Sequence, residues 1–197
     1  MVDNRRRRTA SDQVSAALLG AAETVLDREG AKGVTVRAVA READVAPMGV
    51  YNRFANKDGL LAELAIRALD ELAVAIDVPT DVEPAQRFRR ACRGYREFAL
   101  RHPARYALIF TAGSPLEDTS SLVAARGRAV FGVLVDLVRG LISGGAALDP
   151  VEAAQAVWNA VHGAVTIEQA KIGQTIDAAN SFEHMLGLLV DGIVSSH

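Results

Sequence analysis

Apolar residues in this chain recur at helical spacing, and no stretch alternates apolar with polar as a half-buried strand would. That periodicity predicts an all-α fold, cut into pieces by glycine and proline. Val14, Ala17, Leu18, Ala21, Val25 and Leu26 stripe one face of a helix over Ala10–Arg28, which Thr9 or Ser11 can cap and Gly30 and Gly33 stop. Thr35 suits the N-cap of a short second helix, with Val36, Val39 and Ala40 facing inward and Arg37 and Arg41 outward. Asp44 to Pro47 breaks the pattern. A very short helix, Pro47 to Arg53, follows with its proline in the first turn. After a turn at Phe54–Lys57, a long helix runs to about Ile76. Further helices are expected over Pro84–Arg101, Ala104–Phe110, Ser120–Ile142 (stopped at Gly144 and Gly145), Asp149–Ile172 and Asn180–Val194. The total is about nine.

Length and charge narrow the organisation. The 197 residues suffice for one domain, or for a small domain joined to a larger one. Half the residues are apolar, which excludes gross disorder. Cys92 is the single cysteine, so neither an intramolecular disulfide nor a cysteine zinc site can form; this fits a reducing cytoplasm. No apolar core follows Arg5–Arg8, so the N-terminus does not read as a secretory signal, and no apolar run reaches the roughly 18 residues of a membrane span. Up to Lys57 there are 10 basic and 7 acidic residues; after it there are 12 and 17. That asymmetry keeps a nucleic-acid partner open in a chain whose net charge is −2.

Two short helices joined by a tight turn and preceded by a longer one have the proportions of a three-helix DNA reader. The second must fit a major groove about 12 Å wide. In Pro47-Met48-Gly49-Val50-Tyr51-Asn52-Arg53, Gly49 keeps one face low, and Val50 and Phe54 can anchor the helix. Met48, Asn52 and Arg53 are then left for outward contacts. The Tyr51 hydroxyl can donate to a phosphate, and Lys57 can grip one with its ammonium and a free amide.

The run Thr35-Val36-Arg37-Ala38-Val39-Ala40-Arg41-Glu42-Ala43-Asp44-Val45-Ala46, with Gly49-Val50-Tyr51-Asn52-Arg53-Phe54 and Lys57-Asp58-Gly59-Leu60, resembles the N-terminal domain of TetR-type regulators. Ala46 departs from that pattern, where the family often has serine or threonine able to contact a phosphate. Downstream, His102-Pro103-Ala104-Arg105-Tyr106-Ala107-Leu108-Ile109-Phe110 and Trp158-Asn159-Ala160-Val161-His162-Gly163 resemble a Trp-x-x-x-His-Gly subclass of the family's C-terminal domains. The resemblance implies a homodimeric repressor that binds a palindromic operator and is released by a small effector, with no cofactor; the apolar, alanine-rich C-terminal part, with few candidate charges, suggests that the effector is largely apolar. The resemblance divides the chain into an arginine-rich arm and helix-turn-helix domain (1–57), a connecting helix and linker (58–80), and a ligand-binding and dimerisation domain (81–197). DNA contacts are then expected from Thr35, Arg37, Pro47, Met48, Gly49, Tyr51, Asn52 and Lys57, and from the arm Arg5, Arg6, Arg7 and Arg8. Pocket candidates are Tyr95, Phe98, Phe110, Trp158 and His162. The apolar residues of the last helix, Phe182, Met185, Leu186, Leu189, Val190 and Ile193, are compatible with the dimer.

Plainer roles compete with these. The arm can be a solubilising tail, Tyr51 a core aromatic, and His162 an interior histidine packed on Trp158. Cys92 reads as a buried small hydrophobe. The alternative functions are a small-ligand-dependent helical enzyme and a helical adaptor without DNA binding. His102, His162, His184 and His197 have no metal-ligand spacing, and neither a phosphate loop nor a nucleophile elbow occurs. Tyr51, Lys57 and the arm argue against the adaptor.

Overall fold

A computed structural model describes the backbone of residues 2–142 and 148–195, with side chains from Val14 onward. Among these residues the chain forms nine α-helices and one short 3-10 turn. They are α1 (Val2–Gly33), α2 (Val36–Glu42), α3 (Pro47–Phe54), α4 (Lys57–Ile76), α5 (Pro84–Arg101), α6 (Pro103–Phe110), α7 (Leu122–Leu141), α8 (Pro150–Ala170) and α9 (Ala178–Val194). The turn, Pro115–Glu117, precedes α7. It has no apolar period to announce it; Ser114 makes it, accepting from the Leu116 amide while donating to the Ile109 carbonyl.

Local chemistry sets most helix ends. Thr35 Oγ1 accepts from the Ala38 amide at the start of α2. Asp149 accepts from Val151 and Glu152 ahead of Pro150. Asp177 accepts from Asn180, which starts α9 two residues earlier than its apolar stripe suggests. Gly30 breaks α1 at φ 69° and ψ 178°, where glycine was expected to stop it; one further turn follows to Gly33. The start of α1 lies at Val2 and not at Ala10. The Gly144–Gly145 stop and the side chains of Arg5, Arg6, Arg7 and Arg8 lie outside the described residues.

Contacts divide the chain into two compact units. The first takes residues up to Leu69 together with His102–Ala125. Leu18, Ala22, Val25, Leu26, Val34, Val39, Val50, Leu60 and Leu64 form its core. Val14 and Ala17, expected on the same stripe, are exposed, because burial along α1 begins only at Leu18. In the same unit α6 packs on α1. Arg105 grips Asp27 through Nε and Nη2 at 3.1 and 2.7 Å. Glu23, only 8% exposed, meets Arg67 Nε at 2.6 Å and lies 3.8 Å from Arg105. A buried carboxylate held by two guanidiniums escapes the several kcal/mol of desolvation that an unpaired one meets.

The second unit holds Asp70–Arg101 and the chain from Arg126. Phe88, Ala91, Cys92, Tyr95 and Phe98 are buried along one side of α5, which packs on α8 and α9. Burial pushes the Cys92 thiol up to about 12, which makes it the inert hydrophobe expected. A Cβ on Gly94 would stand 1.9 Å from the Ala75 carbonyl, so α5 crosses the end of α4 backbone to backbone. Two bidentate pairs pin α5 to its neighbours: Arg96 to Glu168 at 2.7 and 2.6 Å, and Arg93 to Glu183 at 2.6 and 2.7 Å. No described helix is long and apolar enough to cross a membrane.

Candidate nucleic-acid interface

The turn between α2 and α3 closes with two backbone bonds, Val45 N–H to the Ala40 carbonyl and Asp44 N–H to Arg41. This is a Schellman closure, and Asp44 occupies its left-handed position at φ 52°. Short polar side chains tolerate that conformation better than others, which lets the turn form without glycine. Pro47 then opens α3 behind Ala46, whose extended backbone suits an N-cap but whose side chain supplies no bond.

Only Val50 and Phe54 of α3 are buried. At about 100° of rotation per residue, Asn52 lies about 180° from their mean direction, Met48 about 140° and Gly49 about 120°. Tyr51 and Arg53 fall on opposite flanks, each about 80° away. Met48 is 65% exposed and Tyr51 50%, so Tyr51 is not a core aromatic. A Cβ on Gly49 would meet nothing nearer than Val45 at 4.0 Å; the fold itself does not require glycine there.

Arg53 has partners within the chain that its sequence position does not announce. It is exposed, but its Nε donates to Ser15 Oγ of α1 at 2.8 Å and its guanidinium lies over the Phe54 ring at 5.3 Å. This bond ties α3 to α1. Thr35 and Arg37 are exposed at the start of α2, and the Thr35 oxygen is engaged in the cap. Asn56 Oδ1 accepts from the Gly59 amide and caps α4. Lys57 follows it, exposed, with Nζ 3.5 Å from the Lys32 carbonyl. A Cβ on Gly59 would lie 2.4 Å from the Phe54 carbonyl, so glycine lets the chain turn back from α3 into α4.

The pocket candidates separate. Tyr95, Trp158 and His162 gather in the second unit. The Trp158 indole N–H donates to Tyr95 Oη at 3.2 Å, and Tyr95 Oη pairs with His162 Nδ1 at 3.2 Å. The Trp158 ring lies 6.1 Å from Phe131 and 6.0 Å from His162. Burial lowers the His162 pKa. Phe98 is buried on α5 beside this cluster in sequence, whereas Phe110 belongs to the first unit, stacked edge-on with Tyr106 at 5.0 Å. A separate groove of about 360 Å³, between the end of α8 and the start of α9, was not legible beforehand; Ile167, Glu168, Lys171, Ile176 and Phe182 are among its walls. Of the last helix's apolar residues, Phe182, Leu186, Val190 and Ile193 are buried inside this chain, while Leu188 is 63% exposed. Four of the six residues read as compatible with a dimer are thus buried within this chain, with Met185 and Leu189 half-buried.

Residues 88–189 match the family described as Tetracyclin repressor-like, C-terminal domain, and residues 18–64 match Bacterial regulatory proteins, tetR family. The chain belongs to the TetR family. It is 30% identical over 150 residues to the HTH-type transcriptional regulator Rv1816 of Mycobacterium tuberculosis, a match covering 71% of this chain. The chain spans 62% of the length of that curated relative. BioQ of Mycobacterium smegmatis is 28% identical and superposes with a TM-score of 0.65 over 91% of this chain and 97% of its own. BioQ has also been solved with its natural double-stranded DNA operator; against that structure the identity is 28% and the TM-score 0.66, covering 92% and 98%. A Rhodococcus sp. RHA1 protein of unknown function shares the fold at a TM-score of 0.76 and 22% identity, covering 92% of this chain and 96% of its own. In the TetR family frame, α1–α3 form the helix-turn-helix region, and the match from residue 88 takes in α5 to α9.

Proposed function

We propose that this TetR-family chain is a transcriptional repressor that binds a palindromic operator as a homodimer and releases it on binding a small, largely apolar effector. The observation that carries the DNA reading is the outward face of α3. Asn52 lies directly opposite the helix's two buried anchors, with Met48 and Gly49 to either side of it, flanked by half-exposed Tyr51 and followed by exposed Lys57. Phosphate contacts by Tyr51, Lys57, Thr35 and Arg37 set register, Pro47 and Gly49 let the α3 backbone approach, and the arm Arg5–Arg8 adds charge neutralisation. The operator complex of BioQ supports this reading.

Residues 1–57 are the DNA-reading segment, 58–80 the connection, and 81–197 the effector and dimer domain. Exposed Ile167, Ile172, Ile176 and Leu188 on α8, α9 and their connection supply apolar surface for a second copy. The effector site is built around Tyr95, Trp158 and His162 with Phe98. The protein acts in the cytoplasm and is not an enzyme.

A gel shift of the full chain on DNA flanking its own gene tests the proposal. Binding is expected, and Tyr51→Ala with Lys57→Ala should weaken it on every sequence by about tenfold or more, since phosphate contacts carry no base information. Unchanged affinity in the double variant, or no DNA bound in a genome-wide selection at low salt, would overturn it.

A further inference from the structure

We infer that α3 reads an adenine–thymine step: Asn52 pairs with the adenine edge and Met48 covers the methyl of a neighbouring thymine. This rests on the DNA-binding reading above and sharpens it from operator DNA to the chemistry of the bases under the helix. Asn52 lies on the outermost line of α3, and Met48, four residues earlier on the same face, is 65% exposed. Gly49 beside them adds no side chain, so the backbone can move close enough for short side chains to reach base edges. An amide placed this way satisfies the acceptor N7 and donor N6 of adenine together, whereas an apolar tip matches the methyl that only thymine presents in the major groove.

Guanine is recognised mostly by arginine or lysine reaching O6 and N7. The only cationic side chain of α3 is Arg53, and the geometry gives it another task. It sits on the flank, its Nε donates to Ser15 of α1, and its guanidinium covers Phe54. Arg53 is a positioning residue that holds the C-terminal end of α3 against α1. The outward face of α3 is therefore neutral. Arg37 stands on α2 and is not part of that face.

Selection of duplexes from a random double-stranded library with the full chain, followed by the same selection with two variants, tests this. The wild type should enrich a half-site with adenine at one position and thymine next to it. Asn52→Ala should lose the preference at that adenine by about five- to hundredfold while keeping the rest of the site. Arg53→Gln should weaken binding to all sequences alike and leave the base preference intact. Enrichment of guanine at the position that Asn52→Ala relaxes overturns the inference and leaves DNA binding standing, as does a base preference that disappears with Arg53→Gln. Failure to enrich any sequence removes the DNA-binding reading and this inference with it.

Discussion

Gly49 is where the demands of folding and of the proposed DNA approach can be told apart. Its missing side chain leaves space on the protein side, with Val45 at 4.0 Å as the nearest neighbour of an added Cβ. Alanine in a helix is favoured over glycine by about 0.5–1 kcal/mol. Gly49→Ala should therefore raise the thermal stability of the free protein while weakening operator binding, measured by calorimetry and by anisotropy on the same preparation. A variant that is less stable, or one that binds as tightly as the wild type, would show that the glycine serves packing and not DNA approach. His162 offers a second test. Burial lowers its pKa, so the folded state binds fewer protons than the unfolded chain, in which the pKa is the ordinary 6.5. Stability should thus fall as pH drops through and below 6.5, and should be regained as pH rises. His162→Gln should flatten the melting temperature between pH 7.5 and about 5.5, above the range where carboxylates such as Glu183, held low by Arg93, begin to protonate.

At the level of elements, α3 starts without a side-chain cap. Ala46 has the extended backbone of an N-cap and no oxygen to offer. Ala46→Ser should stabilise the protein by about 1 kcal/mol, seen as a higher denaturation midpoint. An unchanged midpoint would mean that α3 is held by Val50 and Phe54 alone. Caps of this kind explain why so much of the fold was legible. Thr35, Asp149–Pro150 and the glycine break at Gly30 act on neighbours within four residues, and a sequence displays such neighbours directly. The exposed face of α3 was legible for the same reason: Val50 and Phe54 on one side of an eight-residue helix leave Met48 and Asn52 on the other. What stayed hidden depends on contacts distant in sequence. Ser15 and Arg53 stand 38 residues apart, so nothing local shows that this arginine is tied back to α1. Val14 and Ala17 keep the helical period but lie ahead of the turn where α1 enters its core. The α9 stripe is apolar whether it faces a second chain or its own α5 and α8, and periodicity does not distinguish the two.

Across the whole molecule, two kinds of surface remain. One is the α2–α3 face with Lys57, which the proposed function places on a duplex. The other is the set of exposed isoleucines and Leu188 along α8, α9 and the chain between them, which suits a second copy of the same chain. A two-fold dimer requires an operator with two half-sites, about one helical turn or a multiple of it apart, each receiving one α3 in its major groove. The pairing of Tyr95 with Trp158 and His162 lies in the unit that carries the second surface, where an effector could bias the spacing of the DNA-reading segments. Hydroxyl-radical and methylation footprinting of the full chain on its selected operator tests the central claim most directly. The expected result is two symmetric protected patches, both lost together in the Tyr51→Ala, Lys57→Ala variant. A single protected patch, or protection that persists unchanged in that variant, would contradict it.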